Sequence, residues 1–172
     1  GSVLESTYYL AMMLLESVPE SKRKYKTMFG GVFATFASEK IIKSNLVDYI
    51  CRGEGEEALQ EFCKKLSTGD RIDNIKNFTL KGDGQIFRNT LRPAIDLESV
   101  PIPDWDLFEE GSLYRPMQGK IWRAVGLETQ RGCPYTCTYC NSPANNLVYK
   151  NEVNKIFYRK KSIPRLKKEL DF

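Results

Sequence analysis

Three of the five cysteines in this 172-residue chain fall in one short run, spaced Cys133-x3-Cys137-x2-Cys140. Thiolates leaving one loop at that spacing suit a single iron–sulfur cluster, for which cysteine sulfur is the preferred ligand. A cubane has four irons, so three protein ligands leave one iron open to a substrate or cofactor. An open position separates a catalytic metal site from a closed structural one. Cys137-x2-Cys140 alone is also a common zinc half-site. Structural zinc takes four ligands, usually as two separated pairs or with His, and no His is present. A buried or redox-active thiol cluster is the third alternative. Spacing favours the iron–sulfur cluster, and the other two readings stay open at this point.

The absence of His removes further classes of chemistry. It excludes a Ser-His-Asp triad, a Cys-His nucleophile pair, His zinc ligands and an imidazole base. Apolar content of 41% with 12% aromatics is ample for a packed core. A net charge of +4 is too small to call for a nucleic-acid partner. No run of 18 apolar residues is present, which predicts no membrane span, and no charged-then-apolar leader opens the chain. An odd number of cysteines with three clustered argues against a secreted disulfide framework and for the reducing cytoplasm.

The elements that must position the cysteine loop follow an α/β pattern. Ser6 to Ser17 reads as a helix stopped at Pro19, and Thr27-Met28-Phe29 as a short apolar run ending at Gly30-Gly31. Ser38 is a candidate N-cap for a helix through Lys43, and Leu46 to Cys51 is a strand candidate. Ala58, Leu59, Phe62, Cys63 and Leu66 make one apolar helical stripe, ended by Ser67-Thr68-Gly69-Asp70. Strands separated by helices predict a parallel sheet. Residues 75–90 read as a β-hairpin turning at Lys81-Gly82-Asp83-Gly84. The proline-rich stretch Arg92 to Phe108 reads as a stiff link. Ile121 to Gln130 is expected to be one strand running into the cysteine loop, followed by an Asn- and Pro-rich loop. Ser162 caps an expected last helix, Ile163 to Asp171.

The run Thr129-Gln130-Arg131-Gly132-Cys133-Pro134-Tyr135, continuing through Cys137 and Cys140 with Tyr139 before the last cysteine, resembles the signature loop of the radical S-adenosylmethionine enzymes. The resemblance implies that Cys133, Cys137 and Cys140 bind a [4Fe-4S] cluster and that Tyr139 packs near the adenine of S-adenosylmethionine. In that family the open iron chelates S-adenosylmethionine, and an electron from the reduced cluster cleaves it to methionine and a 5′-deoxyadenosyl radical. A donor such as flavodoxin or ferredoxin supplies the electron.

The first half resembles a narrower group, the radical enzymes with an N-terminal cobalamin-binding domain. Ser2-Val3-Leu4 followed by Gly30-Gly31 is similar to the pair that lines the cobalamin tail, where small residues let the backbone approach the nucleotide. Val47 to Ala58, with Arg52-Gly53-Glu54-Gly55-Glu56-Glu57, resembles a stretch of the same group. Leu97, Pro101-Ile102-Pro103-Asp104 and Asp106-Leu107-Phe108 follow in the expected order. The resemblance implies Ser2, Leu4, Gly30 and Gly31 as cobalamin neighbours. It also implies three parts: a partial Rossmann-like cobalamin-binding domain over 1–70, a hairpin and proline-rich linker over 71–119, and the first β/α unit of a radical enzyme barrel over 120–172.

The cobalamin group's Asp-x-His-x-x-Gly motif is absent, and only 32 residues follow Cys140 where a barrel needs roughly 200. The chain therefore reads as an internal segment of a larger enzyme, unable alone to turn over S-adenosylmethionine. Methyl transfer to an unactivated centre or a radical cyclisation of a small-molecule or natural-product substrate is the expected chemistry. The alternatives are a radical methylthiotransferase acting on RNA or protein, and a zinc-stabilised binding module without catalysis. Cys51 and Cys63 are expected to be packed small apolar residues, and the basic C-terminal stretch a solvated face.

Overall fold

The computed structural model describes residues 5–171. The chain divides into two compact units: residues up to Ile95 with Tyr149–Lys155, and Asp96–Val148 with residues 156 onward.

The first unit runs α1 (Glu5–Glu16), β1 (Met28–Phe29), α2 (Val32–Phe36), α3 (Ser38–Ile42), β2 (Tyr49–Cys51), α4 (Glu56–Thr68), β3 (Phe78–Gly82) and β4 (Gln85–Arg88). The four strands form one sheet in the order β1-β2-β3-β4. Only β1 and β2 are parallel; β3 and β4 are antiparallel to their neighbours. The expectation of a parallel sheet thus holds for the first pair alone. The predicted hairpin forms at Asp83-Gly84, both at positive φ, but it does not stand apart. A two-stranded hairpin is marginal in water. Phe78 and Leu80 are fully buried by joining the sheet beside β2, under α4.

Side chains alternate across a strand, and β2 shows the consequence. Ile50 joins a core built with Tyr8 and Met12 of α1, Phe29, Ala34, Ile41 and Ile42. Cys51, on the other face, joins Ala58, Phe62, Ile75, Phe78 and Leu80, where the Phe62 and Phe78 rings stack at 5.0 Å. Only part of the stripe predicted on α4 is used: Ala58 and Phe62 are buried, while Leu59 and Leu66 are 40% and 53% exposed. Cys63 is exposed as well, so of the two cysteines expected to pack inside, only Cys51 does. Helix α3 starts at Ser38, but Ala37 occupies the cap position, so Ser38 is not the cap.

In the second unit, β5 (Tyr114–Met117) and β6 (Lys120–Arg123) make a hairpin, and β7 (Gln130–Arg131) pairs antiparallel with β8 (Arg159–Lys160). The expected single strand Ile121–Gln130 is therefore two short pieces with irregular chain between them. Its first piece is taken by β5 through a turn at Gln118-Gly119. After the cysteines, α5 (Ser142–Val153) replaces the expected loop. Pro143 falls in its first turn, where proline is tolerated.

The last helix, α6 (Ile163–Leu170), forms as expected, with Ser162 Oγ accepting the Arg165 amide. Ser162 also donates to Glu98 Oε2 at 2.7 Å. Within the basic stretch, Lys161 and Arg165 are not solvated. Lys161 Nζ and Arg165 Nε hold the two Glu169 oxygens at 2.8 and 2.7 Å, and the Glu169 side chain is 3% exposed. Among the described residues, no helix is long and apolar enough to cross a membrane.

Candidate functional site

The cysteine loop leaves β7 through Gly132, whose φ is +82°. A Cβ there would stand 3.0 Å from both Phe157 Cδ1 and Tyr158 Cα, so only glycine lets the chain pass this close. Arg131 is held against Glu128 through Nε–Oε1 and Nη2–Oε2 bonds, both 2.9 Å. Beyond the loop, Asn146 of α5 donates from Nδ2 to the Cys133 carbonyl at 3.0 Å. Its Oδ1 is buried without a partner. The strand before the loop and the helix after it thus both hold the loop's start.

All three thiols are free. Cys133 is half-buried, and Cys137 and Cys140 are exposed. The Cys140 amide donates to the Cys137 carbonyl at 3.2 Å, which makes Cys137–Cys140 one turn. The Ser142 side chain, then the amides of Ser142 and Asn141, hold the Cys140 thiol below its ordinary pKa. That favours the thiolate, the form that ligates metal. Among the described residues, no three His, Cys, Asp or Glu side chains stand in metal-holding arrangement. By donor chemistry the loop fits an iron–sulfur cluster, since three unoxidised thiols lie on one accessible loop beside no competing imidazole. Tyr139 is 91% exposed on the same loop.

In the first unit, β1 ends at Gly30-Gly31 and β2 runs into Arg52-Gly53-Glu54-Gly55. These two turns share a cavity of about 840 Å³ that Met28, Phe29, Leu14, Leu15 and Leu59 also line. It lies at the carboxyl ends of the parallel pair, where open α/β sheets bind ligands. Gly31 has a φ of +92°. Cys51 is on the wall, and burial pushes its thiol up to about 11, with Glu56 adding to the shift. It is therefore a neutral lining group. Of the four predicted cobalamin neighbours, Gly30 and Gly31 line this cavity, while Ser2 and Leu4 lie outside the described residues.

The Arg52–Gly55 loop is pinned from several sides. Thr35 Oγ1 accepts the Gly53 amide at 2.9 Å, and Tyr149 Oη accepts the Glu54 amide at 3.2 Å. Asn77, 1% exposed, donates to the Glu54 carbonyl at 2.6 Å. Arg52 pairs with Glu152. The sequence reading missed Thr35, Tyr149 and Asn146. Pro143, three residues after Cys140 and in the first turn of α5, is a helix-start signal, and it places Asn146 and Tyr149 one and two turns into α5.

No family model matches the chain. An uncharacterised methyltransferase of Pyrococcus horikoshii is 31% identical over 122 residues, covering 67% of this chain and 25% of that protein. The anaerobic magnesium-protoporphyrin IX monomethyl ester cyclase of Cereibacter sphaeroides is 30% identical over 145 residues, covering 81% of this chain and 22% of its own length. The structure of the cobalamin-dependent S-adenosylmethionine radical enzyme OxsB, with aqua-cobalamin and S-adenosylmethionine bound, matches 97% of this chain and 21% of that one. Its TM-score is 0.63 at 22% identity. The chain is related to the cobalamin-dependent radical S-adenosylmethionine enzymes. Its α/β fold is that of part of a radical S-adenosylmethionine enzyme of this type, including part of the Rossmann-like domain. The chain spans between 22% and 25% of the length of these curated relatives.

Proposed function

We propose that this chain carries the rim of the cobalamin pocket and the cluster loop of a cobalamin-dependent radical S-adenosylmethionine enzyme that transfers a methyl group or closes a ring. The observation that carries the reading is a pairing within one chain. A cavity with the Gly30-Gly31 turn on its wall lies at the carboxyl ends of parallel strands, and a three-thiol loop follows a later strand. Cys133, Cys137 and Cys140 hold the [4Fe-4S] cluster, and Tyr139 borders S-adenosylmethionine. Gly30 and Gly31, with Ser2 and Leu4, border cobalamin. When bound, the cluster supplies the electron for reductive cleavage of S-adenosylmethionine and cobalamin the methyl carrier.

The chain's own residues prepare these sites. Ser142 biases Cys140 toward the thiolate, Asn146 fixes the loop's start, and the two glycine turns admit a bulky ligand to the backbone. The whole protein's substrate is a small molecule or natural product, and a flavodoxin or ferredoxin is its reductant. The methylthiotransferase reading needs a further set of cluster cysteines in the first unit. Its two cysteines are Cys51, buried at the cavity wall, and Cys63, exposed on α4, too few for a second cluster.

Anaerobic reconstitution with iron and sulfide tests the cluster. The expected product is brown, absorbs near about 400 nm and holds four irons per chain. The Cys133→Ala/Cys137→Ala/Cys140→Ala variant should hold none. Stoichiometric zinc without iron would overturn the reading.

A further inference from the structure

We propose that Thr35 is a positioning residue for the cavity of the first unit, its hydroxyl tying the Gly30-Gly31 turn to the Arg52–Gly55 loop. The inference rests on the cobalamin reading of that cavity. Thr35 lies in α2, is 6% exposed and is not on the cavity wall, so it acts only through what it holds.

A hydroxyl has one proton to donate and lone pairs to accept. Thr35 Oγ1 donates to the Gly31 carbonyl at 2.9 Å, a carbonyl that also accepts the Thr35 amide at 3.0 Å. This back-bonding to the residue four earlier is ordinary for a helical threonine. The accepting side is not ordinary. It takes the amide of Gly53 at 2.9 Å, 18 residues away on the loop after the neighbouring strand. Gly31 and Gly53 both line the cavity, and both have positive φ, +92° and +65°. One buried oxygen therefore couples the turns that close the ends of β1 and β2.

The next amide of the same loop, that of Glu54, goes to the Tyr149 hydroxyl. With both amides taken, the loop cannot rotate to seek other partners without leaving a buried donor unpaired. Valine has the shape of threonine without either hydrogen-bonding function. Thr35→Val leaves Gly31 its amide bond but strips Gly53 of its acceptor. The loop then shifts, and the wall that faces a nucleotide tail loses its form. A corrin ring without a nucleotide would not sense the change.

The test compares hydroxocobalamin with cobinamide, which lacks the nucleotide, on the complete polypeptide by titration of the corrin absorption. Wild type should prefer hydroxocobalamin. Thr35→Val should weaken hydroxocobalamin about tenfold, the worth of one buried hydrogen bond, and leave cobinamide within about twofold. Thr35→Ser, which keeps the hydroxyl, should restore the preference. Thr35→Cys, near in shape with a weak acceptor, reads the same loss if the valine variant does not fold. Unchanged preference in Thr35→Val with an unchanged thermal midpoint overturns the inference, as does a loss in Thr35→Ser equal to that of valine. A wild-type protein that binds no hydroxocobalamin instead overturns the cobalamin reading, and this inference falls with it.

Discussion

A Cβ on Gly53 would stand 2.5 Å from the Tyr149 hydroxyl oxygen and 3.4 Å from Leu91 Cδ2, at a φ of +65°. Backbone strain and steric overlap therefore coincide at one residue. Gly53→Ala should cost about 3 kcal/mol of stability, the sum of a positive-φ penalty and a displaced buried hydroxyl. Gly84 is the internal comparison, because its φ is +73° and nothing lies within 4 Å. Gly84→Ala should cost only about 1 kcal/mol, the backbone share alone. Chemical denaturation of both variants checks the difference, and equal losses would remove the steric claim. At this scale the three-cysteine loop was legible as a candidate because residue identity and spacing are written in the chain itself. Thr35 was not, since nothing near it in the chain announces a partner 18 residues away.

Helix α6 is the element whose attachment depends most on charge. Glu169 accepts from Lys161 and Arg165, and both cations are shielded, with side chains 7% and 11% exposed. Burial pushes the Glu169 carboxyl up, but the hydrogen bonds from Lys161 and Arg165 outweigh it and hold the group below the usual glutamate value. A depressed native pKa gives stability that is complete above the unfolded value of about 4.3 and lost as pH falls through the native value. Glu169→Gln keeps the shape and removes the charge, leaving two cations with a weaker acceptor. It should cost about 2 to 3 kcal/mol near neutral pH. The gap between wild type and variant should begin to close as pH falls below about 5 and go on closing as pH passes through the depressed native value, as followed by thermal unfolding. A gap independent of pH would contradict the role given to the carboxylate. Helix α5 was missed for a reason at this same scale. Asn145, Asn146 and Pro143 have loop-like propensity, and burial of Tyr149 in the first unit, at 1% exposure, outweighs it.

For the whole molecule, the glycine-walled cavity belongs to the first unit and the cysteine loop to the second. Sites with no shared lining residues behave additively. The triple cysteine-to-alanine variant should therefore lose its iron and keep its hydroxocobalamin affinity within about twofold, measured by parallel iron analysis and corrin titration. Loss of both would show that cluster assembly is needed to form the cavity. The mixed sheet is also a whole-molecule outcome. The hairpin at Asp83-Gly84 was readable from its turn, but its place beside β2 was set by the need of Phe78 and Leu80 for cover from α4.

The chain's own residues determined whatever acts over a few positions: thiol spacing, the Gly30-Gly31 turn, the hairpin, and the Ser162 cap. Such features depend on local geometry and on the chemistry of one residue type. The tertiary structure alone decided which hydroxyl meets which amide. The bonds of Thr35 to Gly53, Tyr149 to Glu54 and Arg52 to Glu152 span 18, 95 and 100 residues. Contacts at that range leave no period or spacing in the chain, because they exist only after the sheet and its helices have packed.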